Sequence, residues 1–427
     1  MRRGGVESVA EWRGEVLETA LRAAAVGVAE AEALEEGQFT PFHAMILSPL
    51  MEAWREPELE FEMGERQMRT IEKVLALVVL VIGVSWMQAG GSSRAADAAA
   101  SDGKDALRVY FADVEGGQAT LFVTPFGESL LVDTGWPGFD GRDADRIVAL
   151  CKQAAVSRID NVLVTHYHTD HVGGLPQLAA RIPTGRFIDH GENRETKDAK
   201  TQQGWEAYQK VLAQGKYAHL VVKPGDLIAV KGMKVEVISA DGQVIPRPLA
   251  GAGKVNAACE KSPMKEAEND ENDDSVGVMI TFGGLRILDL GDLTWAKERP
   301  LMCPVDRLGR VDVYIASHHG FDRSGSPALV NAIAPRLVIM DNGAMKGAEA
   351  RAWEIVSSSP RIADGKGALW QLHTAVQTDA AHNVPDERIA NLKGPDAGHS
   401  LELTARRDGS FSVTNERTGQ TIQYGAQ

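Results

Sequence analysis

From Leu107 onward the chain alternates short apolar runs with turn residues, the rhythm of a sheet-rich domain. Runs at 107–114, 119–124 and 129–132 are separated by Gly116 and Gly117, then by Pro125, Phe126 and Gly127. That spacing predicts hairpin-connected strands. An amphipathic stretch at 142–156 predicts a helix, and the β-branched run 159–164 predicts a buried strand after it. A helix is expected beyond Gly174, with Leu178, Ala179 and Ile182 on one face. Strand 186–191, helix 203–214 and paired strands across 220–240 follow. Residues 241–274 turn polar and acidic, ending in EAENDENDDS, and predict a partly disordered surface loop. Strands at 275–282, 285–290 and 311–316 come next. The tail predicts a helix at 348–357 and strands near 369–372, 400–405 and 410–414.

Upstream the pattern differs. Residues 1–67 read as a separate extension, in which 11–36, rich in alanine and glutamate, predicts a soluble helix. Arg69 and Lys73 then precede a charge-free apolar run, 74–87, followed by small residues. Basic, apolar and small in that order is the layout of a secretory signal peptide, and the run is short for a membrane span. Residues 68–105 are therefore expected to be an export signal plus linker, with Met68 or Met63 as the true start. The alternative is a membrane anchor through 74–87. The expected destination is periplasmic or extracellular, and the domain proper spans 106–427.

The chain has 427 residues, 44% of them hydrophobic, enough for one large or two moderate domains with a real core. A formal net charge of -14 offers no strong basic patch for nucleic acid. Cys151, Cys259 and Cys303 match no zinc-finger or redox spacing, and in an exported chain two of them can pair.

Chemistry concentrates in Thr165 to Gly174, THYHTDHVGG. The segment leaves a predicted strand and turns. In extended chain, residues i and i+2 share a side, so His166 and His168 can share one metal ion. Asp170 and His171 lie past the bend, placed for a second ion. Gly173 and Gly174 let the backbone pass close to the site.

The pattern H-x-H-x-D-H resembles the signature of the metallo-β-lactamase superfamily. That resemblance implies an α/β fold, a four-layer αββα sandwich, with a dinuclear site at one edge of its sheets. It gives Asp133, in Val132-Asp133-Thr134-Gly135, the role of steadying the ligands from behind, since a ligand histidine needs its other ring nitrogen held. His190, ending strand 186–191, matches the next ligand and would complete three nitrogens on the first ion. Asp292, after Gly291, matches the aspartate that bridges the two ions. One of His318 and His319 is the last ligand, with a slight lean to His318, and the other binds substrate or supports the ligands. His373 is weighed as a substrate contact at the rim, against a packed or exposed histidine. Taken together, VDTG, THYHTDHVGG, GD and SHHG resemble the soluble hydrolase domain of ComEC-type competence proteins over about 107–343. Two features differ. Asp113-Val114-Glu115-Gly116-Gly117-Gln118 stands where a GQGD-like turn is usual, and that family's membrane channel is absent, so DNA hydrolysis is not carried over.

Together these residues predict metal-assisted hydrolysis through a hydroxide bridging two divalent ions, with Asp170, Asp292 and His373 as the catalytic candidates. Mixed nitrogen and oxygen ligation suits zinc, and also manganese or iron. The expected substrate is a phosphodiester or a related small-molecule ester. Lactone, β-lactam or thioester hydrolysis is the alternative, and an exported protein that binds metal without turnover is the rival.

Overall fold

A computed structural model describes residues 105–427. The extension, the run 74–87 and most of the linker expected upstream lie outside the described residues. Eighteen strands follow one another: β1 (Leu107–Phe111), β2 (Thr120–Val123), β3 (Ser129–Val132), β4 (Ile159–Leu163), β5 (Thr184–Asp189), β6 (Ala218–Val221), β7 (Leu227–Val230), β8 (Met233–Ala240), β9 (Gln243–Val244), β10 (Gly277–Phe282), β11 (Leu285–Asp289), β12 (Val313–Ile315), β13 (Leu337–Met340), β14 (Ala368–His373), β15 (Ile389–Asn391), β16 (Leu401–Ala405), β17 (Phe411–Asn415) and β18 (Thr421–Tyr424). They form two sheets. One runs β18-β17-β16-β1-β2-β3-β4-β5-β6, and the other β15-β14-β13-β12-β11-β10-β8-β7 with β9 beside β8.

The alternation of side chains explains the layers. Leu107, Val109 and Phe111 of β1 meet Val278, Ile280 and Phe282 of β10 and Trp370 and Leu372 of β14 in one apolar core between the sheets. Tyr110, Leu121 and Val162 face the other way, onto α1 (Arg142–Gln153), where Ile147, Leu150 and Cys151 cover them. The same core holds Val172 and Leu178 from the short helices α2 (Thr169–Val172) and α3 (Leu175–Ala179), and Tyr208 from α4 (Ala199–Leu212). On the far side, Met279, Leu288 and Val338 pack beneath α5 (Trp295–Met302), α6 (Pro327–Ile333) and α7 (Ala350–Ser357). Helix, sheet, sheet, helix is the expected four-layer sandwich. Central strands are buried on both faces, which is why they read as nearly continuous apolar runs.

Three features bear on the sequence expectations. A helix does follow Gly174, but α3 ends at Ala179, short of Ile182, and a separate turn, α2, precedes the glycines, where backbone packs closely: a Cβ on Gly174 would lie 2.1 Å from the Thr134 carbonyl oxygen. The tail returns to the first sheet, where β16 pairs antiparallel with β1. The acidic segment 241–274 is not loose at its end, since Glu271, Asn272 and Asp273 are buried. Composition predicted solvation there, but hydrogen bonds to the sandwich edge outweigh it.

Two stability tests follow from this packing. Cys259 and Cys303 form a disulfide that closes a 44-residue separation, tying the 241–274 segment to the end of α5. Chain-entropy reasoning puts its contribution at about 4 kcal/mol at most. Cys259→Ser with Cys303→Ser should lower the denaturation free energy by roughly 2–4 kcal/mol, and an unchanged urea midpoint would remove the clamp from this account. Glu298 is fully buried and accepts from the backbone N–H of Gly325 (2.6 Å) and Ser326 (2.7 Å) at the start of α6. Burial pushes its carboxyl up from 4.5 to about 7, overcoming those bonds. The folded state thus holds this proton more tightly than the unfolded chain. Its contribution is full below pH 4.5 and is lost as pH rises through about 7. Relative to Glu298→Gln, the native protein should lose roughly 1–3 kcal/mol between pH 4.5 and 7.5. Parallel melting curves across that range would contradict it.

Candidate metal centre

The topology gathers the candidate residues at one end of the sandwich. β3, β4 and β5 run parallel in the first sheet, and β11, β12 and β13 run parallel in the second. Their C-terminal ends carry Asp133, Thr165 to His171, Asp292, His318 and His319, and Asp341. Gly291 lets the two halves touch. Its φ of +53° is left-handed, and a Cβ there would meet the Thr165 Cβ at 2.9 Å. His318 N–H donates to the Gly291 carbonyl (3.0 Å), which locks the His318–His319 turn against it. Both histidines, and Asp133, hold positive φ near 60°, strain of the kind that persists where surroundings over-determine a functional segment.

Three imidazoles are fixed through the nitrogen that faces away from the centre, and the fourth, His319, stands beside a carboxylate without a hydrogen bond to it. The Asp133 carboxylate lies 2.7 Å from His171 Nδ1, and accepts from Thr165 N–H (2.8 Å) and Thr165 Oγ1 (2.6 Å). That hydroxyl is in turn 3.0 Å from His166 Nδ1. His168 Nε2 pairs with Glu195 Oε2 at 2.8 Å, and His319 Nδ1 lies 3.3 Å from Asp341 Oδ1. The remaining nitrogens converge. His166 Nε2 faces His168 Nδ1 at 3.0 Å, and His171 Nε2 faces His319 Nε2 at 3.2 Å. Asp170 Oδ2 is 3.3 Å from His171 Nε2 and 3.2 Å from His319 Nε2. Asp292 Oδ2 lies between the two groups, 3.9 Å from His166 Nε2 and 3.3 Å from His171 Nε2.

This donor set fits divalent metal. Ligand atoms of Asp170, His171, Asp292 and His319 all lie within 4.8 Å of one another. Asp292 Oδ1 is buried without a hydrogen-bond partner, an arrangement that costs free energy unless a cation satisfies it. Electrostatics agree. Burial opposes charge on Asp170 and Asp292, yet Lys346 and His171 beside the first, and His171, His318 and His319 beside the second, hold both well below the usual carboxylate range. Burial, with His171 and His168 close by, pushes His166 well below its ordinary value and keeps it neutral.

Two expected residues are not brought in. His190 does not complete the His166–His168 group. Its Nε2 is 3.0 Å from Glu271 Oε2, and its ring packs on Tyr167, 4.6 Å between centroids. Tyr167 points opposite to its two neighbours, as alternation in extended chain requires, so His190 lies behind the segment rather than before it. His373 is no rim contact either. It is buried on β14, with Nε2 2.7 Å from Asp113 Oδ1, and Arg146 holds the same aspartate at 3.1 Å. Burial disfavours charge on His373, but the Asp113 hydrogen bond wins and raises it above its ordinary value. Of the histidine pair, His319 joins the converging group. His318 keeps Nε2 3.4 Å from Asp292 Oδ2 and lines the open side.

A cavity of about 410 Å³ opens over the centre, walled by His168, Asp170, Asp292 and His318 among others. Trp136, Phe321, Lys346, Arg323, Glu195 and Asn272 complete much of its wall. Lys346 Nζ is hydrogen-bonded to Asp170 Oδ2 and, at 2.7 Å, to the Gly116 carbonyl, and lies 5.2 Å from the Trp136 ring. Sequence reasoning missed Thr165, Glu195, Asp341, Lys346 and Asn272. A threonine opening the THYHTDH run was the available signal for the first; the others stand in stretches without a motif.

Residues 112–255 match the family model described as Metallo-beta-lactamase superfamily. The chain is 36% identical over 106 residues to a hydroxyacylglutathione hydrolase of Stenotrophomonas maltophilia, covering 25% of this chain and 37% of that protein. A hydroxyacylglutathione hydrolase of Rhodopseudomonas palustris is 27% identical over 88 residues, 21% of this chain and 27% of its own length. The chain thus spans about a third of the length of the curated relatives it matches. Among solved structures, the metallo-beta-lactamase fold protein YhfI from Bacillus subtilis aligns with 62% of this chain and 96% of its own, at 14% identity and a TM-score of 0.39. Residues 112–255, within the two-sheet sandwich, are thus similar to the metallo-β-lactamase superfamily.

Proposed function

We propose that the protein is a hydrolase that uses two divalent metal ions, zinc in the first instance and manganese or iron as alternatives, on phosphodiester or related ester substrates. The observation that carries this is the position of Asp292 between two pairs of opposed imidazole nitrogens. His166, His168 and Asp292 would hold one ion, and Asp170, His171, Asp292 and His319 the other. When bound, such ions supply Lewis acidity and lower the pKa of water towards about 7.

The chain's own residues do the rest. Asp133, Thr165 and Glu195 hold the rings of His171, His166 and His168 with their free nitrogens inward, which keeps the donor geometry from relaxing. Lys200, Arg323 and Lys346 are the cations on a cavity wall that also carries Asp170, Glu195, Asp198, Asp270 and Asp292, and they are where a negatively charged group of a substrate would be met; Trp136 and Phe321 offer apolar surface. His318, open to the same cavity, is placed to donate or accept a hydrogen bond from the reacting group. Those cations support the phosphodiester reading and keep the ComEC-type likeness in play. Likeness to hydroxyacylglutathione hydrolases supports the thioester alternative. The disulfide between Cys259 and Cys303 supports export, since such bonds persist in oxidising compartments.

Two measurements test this. Elemental analysis of the purified chain should find close to two divalent ions. His168→Ala should lose at least one, whereas His190→Ala should keep both and lose about 2–4 kcal/mol of stability through the unpaired Glu271. Loss of an ion from the second variant would restore His190 to the ligand set. Turnover should be sought on phosphodiester, thioester, lactone and β-lactam panels with zinc or manganese. Asp292→Asn keeps the size but not the charge, and should cut the best activity by roughly a hundredfold or more with the fold intact. Near-native turnover in that variant would end the two-ion proposal.

A further inference from the structure

With His190 turned away, the His166–His168 side lacks the third nitrogen that sequence comparison led one to expect. We infer that Asn272 fills that place, its side-chain oxygen serving as a neutral donor to the ion held by His166 and His168. The inference rests on the metal-centre reading above.

Three observations carry it. Asn272 is 2% exposed and lines the same cavity wall as His168 and Asp292. Its Oδ1 is buried without a hydrogen-bond partner. Its Nδ2 donates to Asp270 Oδ2 at 3.2 Å, and its backbone N–H donates to Asp270 Oδ1 at 3.1 Å. An ionised carboxylate only accepts, so that bond assigns nitrogen and oxygen on the amide and leaves the oxygen as the free end.

The residues on either side explain why the oxygen is held there. Glu271 Oε2 accepts from the backbone N–H of Tyr167 (3.1 Å), the residue between the two histidines. Glu271 N–H donates to Glu195 Oε2 (3.4 Å), the same oxygen that pairs with His168 Nε2. On the other flank, Asp273 accepts from the hydroxyl of Thr294, two residues beyond Asp292. Asn272 is thus anchored between the His168 and Asp292 segments by its own neighbours. An amide oxygen also suits the charge balance, because Asp170 and Asp292 already bring two negative charges. His318 is the other candidate, but its ring packs on Phe321, 4.9 Å between centroids, and next to His319 of the other group rather than on His166 or His168.

The test is cobalt(II) titration of the metal-stripped full-length chain, followed by calorimetry and visible absorption, with apo-protein melting as the folding control. Wild type should take two ions. Asn272→Ala should weaken one of them by tenfold or more and leave the other unchanged. Asn272→Asp should bind that ion at least as tightly as wild type and shift its visible bands, since a carboxylate replaces an amide oxygen on the metal. Two unchanged affinities in Asn272→Ala, or an unshifted spectrum in Asn272→Asp, would overturn the inference while leaving the metal centre standing. Should the alanine variant fail to fold, the spectrum of the aspartate variant decides alone. No cobalt uptake by wild type would sink the metal centre itself, and this inference with it.

Discussion

The site depends on one buried carboxylate. Asp133, fully enclosed at the end of β3, receives three hydrogen bonds from the turn that follows β4: two from Thr165 and one from His171. A charge in such a place is costly unless every lone pair is used, so the turn has little freedom to rearrange. Thr165 passes the constraint to His166, and the backbone of His171 passes it back, accepting from Thr134 N–H and Thr134 Oγ1. Remove that carboxylate and the histidines would still be present, but His171, and His166 through Thr165, would lose what chooses the nitrogen that faces inward.

The second requirement is that two sheets meet at one edge. Thr165 and Val276 join them directly, with Val276 N–H donating to the Thr165 carbonyl at 2.8 Å. Donors from the first sheet, His166 to His171, therefore stand opposite donors from the second, Asp292 and His319. Neither sheet carries a complete set. The inter-sheet core of valine, isoleucine, leucine and phenylalanine is thus not separate from the chemistry, because its thickness sets the distance between the two half-sites.

Much of this was legible in the sequence. The strands delivering Asp133, His166 and Asp292 stood out as apolar runs closed by glycine turns, and H-x-H-x-D-H is dense enough to announce its chemistry. His190 misled because a histidine ending a strand looks alike whether it points to the front or the back of its neighbour. Only the packing on Tyr167 distinguishes the two. His373 misled for a related reason, since its partner Asp113 lies 260 residues away. Glu271 and Asn272 were hidden in an acidic run whose composition speaks for solvent, and composition does not report that Tyr167 and Arg194 turn backbone donors towards it. β13 and β18 are short elements with no turn signature strong enough to mark them.

The return of the tail to the first sheet bears on how the molecule comes into being. β1 hydrogen-bonds to β2 on one side and to β16, almost three hundred residues later, on the other. Until β16, β17 and β18 are made, the first strand presents an unpaired apolar edge, the kind of surface that invites pairing with another chain. Contacts this remote in sequence are slow to form, because loop closure must precede any gain from pairing.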